Sequence, residues 1–260
     1  MEEAIVDIRN LVLRFGDDRV SDPLSMRART GSRIGISGPS GCGKSTLLRS
    51  LVSGELPNGS SYGMFRPDLF GRSVGYVPQK GGLLPWYTVR KNFAVFGGCG
   101  SASTLVNSLG ISHIIDSYPD QLSGGEYQRA MLAVALSTKP DILLVDEPLT
   151  GVDMEMRYRV LHVLQRYLDD SAKSLILVSH DPDILLYLCN EVIFFGGQEQ
   201  PPPLSLFGKP RVTNVGDMFR EPACNAVRTA GRPAREYYDH KRAELVSRVI
   251  RGEQKCASRT

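Results

Sequence analysis

The sequence predicts an α/β fold built on a parallel sheet, and three observations predict it. Two runs, ILLVDEP (142–148) and SLILVSH (174–180), are apolar almost throughout, the composition of strands buried on both faces of a parallel sheet. Helical patterns at 126–138 and 154–168 lie between such strands, and strand–helix alternation argues for right-handed crossovers. Third, a glycine loop, GPSGCGKST (38–46), is set between a short apolar strand and a helix.

The elements follow in order. AIVDIRNLVLRF (4–15) reads as a strand pair or one long edge strand, because Ile5, Ile8, Leu11, Leu13 and Phe15 partly alternate. GSRIGISG is a short strand running into the glycine loop. KSTLLRSLVS (44–53) is a helix with Leu47, Leu48 and Leu51 on one side. SVGYVPQ is another short strand, stopped by Pro78. Residues 81–121 break the rhythm: GGLLPWYTVRKNF, GGCGSAS and TLVNSLGISHIID carry no strong strand and read as an inserted helical subdomain. After Gly196 the stretch GGQEQPPPLSLFGKPR is linker-like, and EYYDHKRAELVSRVIRG is an amphipathic helix pattern. There are no internal repeats. The organisation read from this is an α/β domain over 1–200, its helical subdomain at about 81–140, and a linker with a basic, partly helical tail over 201–260.

Composition narrows the function classes. The chain has 260 residues, with hydrophobic and charged fractions of 42% and 23%, ordinary for a globular protein. No apolar run approaches the roughly 18 residues of a membrane span. The start, MEEAIVDIRN, is acidic and strand-like rather than a secretory leader. Five scattered cysteines without metal spacing suggest a reducing cytoplasm. A net charge of +3 gives no case for a nucleic-acid partner. From Lys209 onward, however, 12 Lys/Arg stand against 6 Asp/Glu, a charge of +6. That tail is either simply solvated or suited to an anionic surface.

The glycine loop fits G-x-x-x-x-G-K-[ST], and its flanks give the match structural content. Gly38, Gly41 and Gly43 permit a tight path past Pro39 and Ser40, so that loop amides face phosphate oxygens. The helix beginning at Lys44, with Ser45 and Thr46 behind it, adds its positive end. Lys44 supplies charge to the β and γ phosphates of a nucleotide, and the Ser45 hydroxyl is a ligand for Mg²⁺. Cys42 fills a small loop position, and would make the loop thiol-sensitive if exposed. Asp146 falls at the carboxyl end of a buried strand, where open α/β sheets place their ligands, and its carboxylate suits Mg²⁺. Glu147 follows as the candidate general base for the attacking water. An acidic pair closing an apolar strand is too costly to leave idle. His180 ends the next apolar strand and is the candidate γ-phosphate contact.

A second anion-binding device lies in LSGGEYQR (122–129). Ser123 and Glu126 have the spacing of a capping box, and Gly124 and Gly125 leave the helix amides bare. The set GPSGCGKST, VPQ, LSGGEYQR, ILLVDEP and VSHD, in this order, resembles the ATP-binding cassette (ABC) ATPases over residues 5–196. The resemblance implies a P-loop NTPase (RecA-like) core with a parallel sheet, an antiparallel β subdomain and an inserted helical subdomain. It implies head-to-tail pairing with a second cassette, a copy or a paralogue. Ser123, Gly124 and Gly125 of one then close over the ATP held by the other's phosphate loop. It further implies that Gln79 senses Mg²⁺, that Phe15 stacks on adenine, and that Asp153 belongs to a loop crossing the dimer interface. The alternative for Phe15 is a core ring at a strand end. Two places depart from the family pattern: Gly151 stands where alanine is commoner, and 80–121 is short, so one subdomain helix is expected to be missing or trimmed.

Within that family two classes compete: the engine of a membrane transporter, or a soluble ATPase acting on nucleic acid or ribosomes. This chain carries neither coiled coils nor a second cassette. GGLLPWYTVRKNF is similar to the importer ATPases of the nitrate, sulfonate and taurine group, and the tail helix resembles theirs weakly. In that group this region borders the groove for a helix of the membrane subunit, so Trp86 and Tyr87 are either docking anchors or subdomain packing. The resemblance thus implies an ATPase coupled to transport, peripheral to the cytoplasmic face of the inner membrane. Its partners would be an integral membrane permease and, indirectly, a substrate-binding protein.

Overall fold

The computed structural model describes residues 4–15, 18–19, 21, 23–69, 71–97, 102–149, 151–169, 173–195, 204–206, 240–244 and 246–247. The chain divides into two compact units, one of residues 1–69 with 176–260, the other of 70–175.

In the first unit, β1 (Ala4–Leu11) is the central strand of a three-stranded antiparallel sheet, between β4 (Leu24–Arg29) and β6 (Met64–Pro67). This corrects the edge-strand reading of residues 4–15. The alternation that suggested an exposed edge reflects a sheet with one buried face; β4 shows it directly, with Leu24, Met26 and Ala28 buried and the residues between them exposed. Beyond β1 the chain turns into the short pair β2 (Arg14–Phe15) and β3 (Asp18–Arg19). A second sheet runs in the order β11–β10–β5–β9, from β11 (Leu204–Ser205), β10 (Glu191–Phe194), β5 (Arg33–Ser37) and β9 (Ser174–Val178). β10 lies parallel to β5 with Val192 opposite Gly35, and β11 antiparallel to β10. Helix α1 (Lys44–Ser53) has the bounds its leucine spacing predicts, and it buries Leu47, Leu48 and Leu51. Helix α6 (Pro182–Leu188) leads into β10.

The linker reading of 197–211 misses β11. Leu204 and Leu206 flank Ser205 and are buried, so a two-residue alternation inside a Pro-rich stretch suffices to add an edge strand. The parts of that linker on either side of 204–206, and most of the basic tail, lie outside the described residues. Within the tail, residues 240–244 and 246–247 are helical. The Arg242 guanidinium holds both carboxylate oxygens of Asp183 on α6, at 2.6 and 3.3 Å.

The second unit begins with β7 (Val74–Val77), parallel to β8 (Ile142–Asp146), with Val77 opposite Val145. The start of β9 lies beside β8, where the Ser174 amide donates to the Asp141 carbonyl at 3.0 Å. All five residues of β8 and of β9 are buried, as their uninterrupted apolar runs require. The insertion holds α2 (Val89–Val95), α3 (Ala102–Ser108) and two 3-10 turns, Ser112–Ile114 and Pro119–Gln121. It is followed by α4 (Gly124–Ser137) and α5 (Met154–Asp169).

Candidate functional site

The phosphate loop is built by a strand that stops and a helix that starts uncapped. Ser37 ends β5, and Gly38 turns the chain at φ +152°. A Cβ at Gly38 would stand 1.9 Å from the Phe195 carbonyl oxygen, so only glycine passes there. The Cys42 thiol donates to that same oxygen at 3.2 Å and is buried, which makes it loop packing. Lys44 is 6% exposed. Its ammonium donates to the carbonyls of Gly38 at 2.8 Å and Pro39 at 2.6 Å, so the charge is stored against the loop it serves. Helix α1 has Gly43 at its N-cap and no side chain capping it, which leaves the positive helix end to a ligand. Ser40 and Gly41 are exposed, and Ser45 and Thr46 half-buried.

In the same unit His180 occupies the bend between β9 and α6, half-buried. The bend is pinned on both sides. The Ser179 hydroxyl accepts from the Asp181 amide at 3.1 Å, and the Asp181 carboxylate caps α6 through the Asp183 amide at 2.8 Å. Phe15 pairs with Asp18 through its backbone; the adenine-stacking expectation for its ring falls outside the described side chains.

In the second unit Asp146 closes β8 at 2% exposure. One of its oxygens, Oδ1, is buried and takes no hydrogen bond among the described residues. A buried, bare carboxylate oxygen is costly, and it fits a ligand set for a divalent cation. Glu147 follows with φ +53°, a left-handed conformation that costs a non-glycine residue on the order of 1–3 kcal/mol and marks functional positions. Nothing in the sequence announces that twist.

Gln79 is exposed after β7, and its carbonyl accepts from the Gln128 side chain of α4 at 3.1 Å. One residue earlier on α4, the Tyr127 hydroxyl accepts from the Leu83 amide at 3.3 Å. The motif LSGGEYQR therefore grips the segment 79–83 with its second half. Its first half is the predicted capping box: the Ser123 hydroxyl accepts from the Glu126 amide at 3.3 Å, and the Glu126 carboxylate accepts from the Ser123 amide at 3.0 Å. A Cβ at Gly124 would meet nothing, whereas one at Gly125 would come within 3.2 Å of the Gly151 carbonyl oxygen. Gly151 itself sits at φ +77°, which explains glycine where alanine is commoner. The Asp153 carboxylate accepts from the Met156 amide at 3.0 Å and so caps the start of α5.

The LLPWYTV stretch is held from beneath by a residue the motif reading missed. Asn92 on α2 is 0% exposed. Its side-chain oxygen accepts from the Leu84 amide at 2.8 Å, and its amide donates to the carbonyls of Leu84, Tyr87 and Thr88 at 3.2, 3.1 and 3.0 Å. With residues 84–88 stapled, Trp86 stands 65% exposed, edge-on to Tyr87, whose ring also carries the Lys91 ammonium 5.9 Å from its centre. The packing alternative for Trp86 is thus excluded. Asn92→Ala is expected to cost about 1–3 kcal/mol, because it strands buried backbone groups of the loop. Urea unfolding checks this; unchanged stability would mean that the loop is held by something else.

A glycine loop between a buried strand and an open helix end, with an acidic pair closing another buried strand, defines a P-loop ATPase. The family profile described as ABC transporter matches residues 21–150. Over 202 residues the chain is 33% identical to an aliphatic sulfonates import ATP-binding protein of Pseudomonas savastanoi, covering 76% of this chain and 83% of that one. Over 206 residues it is 32% identical to an Fe(3+) ions import ATP-binding protein of Haemophilus influenzae, covering 72% of this chain and 59% of that one. A solved dimeric ATP-binding cassette with bound ADP and Pi superposes with a TM-score of 0.66 at 23% identity, covering 78% of this chain and 99% of that one. The chain belongs to the ABC transporter family, as its ATP-binding, ATP-hydrolysing subunit. Among the described residues no helix is long and apolar enough to cross a membrane.

Proposed function

We propose that this chain powers import, peripheral to the cytoplasmic face of a membrane and docked on an integral permease that a substrate-binding protein supplies. The import ATP-binding relatives support the direction. Two cassettes pair head to tail, and Ser123, Gly124 and Gly125 of one clasp the ATP on residues 38–46 of the other. Lys44 and the loop amides hold the phosphates. Ser45, Gln79 and Asp146 are the residues that would hold Mg²⁺, which offsets phosphate charge when bound. Glu147 takes a proton from water as it attacks the γ-phosphorus and the bond to ADP breaks. His180 steadies the γ-phosphate. In this reading residues 1–200 are the ATPase domain, with the helical part near 81–140.

The observation that carries the transporter reading is Trp86, a large ring held out in solvent by a fully buried staple. Its occupant is a short helix of the membrane subunit, whose apolar side the ring would cover. Trp86→Ala is expected to change the isolated subunit's stability by no more than about 0.5 kcal/mol, as for other exposed positions. It should weaken capture by the permease in detergent by roughly thirtyfold, the size of an interface hot spot near 2 kcal/mol. Thermal melting paired with permease pull-down reads both. Unchanged capture defeats the docking assignment, and recovery of ribosomes or DNA instead of a membrane subunit defeats the transporter reading.

A further inference from the structure

The capping box at the start of α4 has an engagement that capping does not require. Oε2 of Glu126 takes the Ser123 amide at 3.0 Å and the Ser123 hydroxyl at 2.6 Å. The other oxygen, Oε1, is held by His113 Nε2 at 2.8 Å. These bonds, the Ser123 hydroxyl first, hold the Glu126 carboxyl down at about 2. An ionised carboxylate only accepts, so Nε2 carries the hydrogen. His113 comes from the 3-10 turn Ser112–Ile114, on a separate element from the helix it touches.

A hydroxyl has one proton. While Ser123 donates to Glu126 it cannot also donate to a phosphate. Turning to a phosphate deprives the carboxylate of its shortest bond and leaves a negative group beside another. A second donor that stays behind lowers both costs. We propose that His113 is a positioning residue for the clasping end of α4: by keeping Oε1 of Glu126 bonded, it frees the Ser123 hydroxyl to turn to the γ-phosphate held by the partner cassette. This rests on the reading that Ser123 meets the partner's ATP.

The test compares four full-length proteins: Glu147→Gln alone, and with His113→Ala, His113→Gln or Ser123→Arg. Single-subunit ATP affinity is read with a fluorescent ATP analogue, and ATP-driven dimerisation by sedimentation velocity. His113→Ala should leave ATP affinity unchanged and weaken dimerisation roughly threefold to tenfold, the net size of one ordinary hydrogen bond at an exposed side chain. His113→Gln should restore most of that, because its amide N–H reaches where Nε2 stood. Dimerisation of His113→Ala equal to the parent's overturns the proposal. So does failure of Gln to rescue, or a loss of ATP affinity in step with dimerisation, which marks general unfolding. If Ser123→Arg dimerises normally, the trans reading itself falls and takes this inference with it. If Ser123→Arg blocks dimerisation while His113→Ala does not, the inference alone falls.

Discussion

Replacing Glu147 by Gln is expected to lower ATP turnover roughly 10²–10⁴-fold while ATP binding persists. The carboxamide has nearly the carboxylate's shape, so the loss is specific to proton acceptance. Gln also adopts the left-handed backbone of this position at a cost close to that of Glu, so the φ of +53° need not relax. Neither Lys44 nor the open end of α1 is touched. An ATP-loaded dimer should then accumulate, because the reaction that dissolves it is blocked. Phosphate release measures the first effect and size-exclusion in ATP the second. Near-normal turnover would remove Glu147 from the role of base and leave the strained backbone unexplained.

Mixing two inactive variants is expected to restore activity. Lys44→Ala disables the phosphate loop, and Ser123→Arg replaces the cap of α4 with a bulky side chain that blocks its start. In head-to-tail dimers random pairing makes half of the dimers mixed. Each mixed dimer collects both lesions at one site and leaves the other intact. About a quarter of all sites in the mixture are therefore whole, and turnover should recover to about that share if one site suffices. If the Ser123 end instead served its own chain's ATP, every molecule would carry a lesion at its own site and mixing would restore nothing. Phosphate release against mixing ratio reads the difference, with the maximum expected at equal amounts.

The parts of this fold legible in the sequence are those where one local rule decides. β8 and β9 declare themselves because both faces are buried, and α1 because a glycine loop fixes its start and Leu47, Leu48 and Leu51 mark its buried side. Ser123 and Glu126 were readable as a cap from spacing alone. What stayed hidden depends on neighbours distant in sequence. The central place of β1 is set by β4 and β6: β4 alternates cleanly, but nothing in that alternation names its neighbour, and β6 has no clear pattern. Asn92 looks like one more polar residue on a short helix until the loop it staples is seen. His113 lies 13 residues from Glu126, a separation no periodicity marks. The twist at Glu147 is a backbone property without a composition. Asp153 shows the converse: a motif match pointed to an interface, and the structure adds a local reason for an aspartate there.

Helix α4 has a mechanical consequence. Ser123 stands at its first turn, and Tyr127 and Gln128, which grip the segment 79–83, follow about one turn later, on the order of 5 Å along the axis. Nothing between them can bend as a loop bends. A transmission with so short a shaft has little backlash: tilting the helix at one end displaces the held segment at once, and strain entering through the segment returns to the end. On the proposed reading, engine and load are then geared rather than merely adjacent. The slack that separates fuel use from work would have to come from the side-chain grips, whose two hydrogen bonds are the teeth.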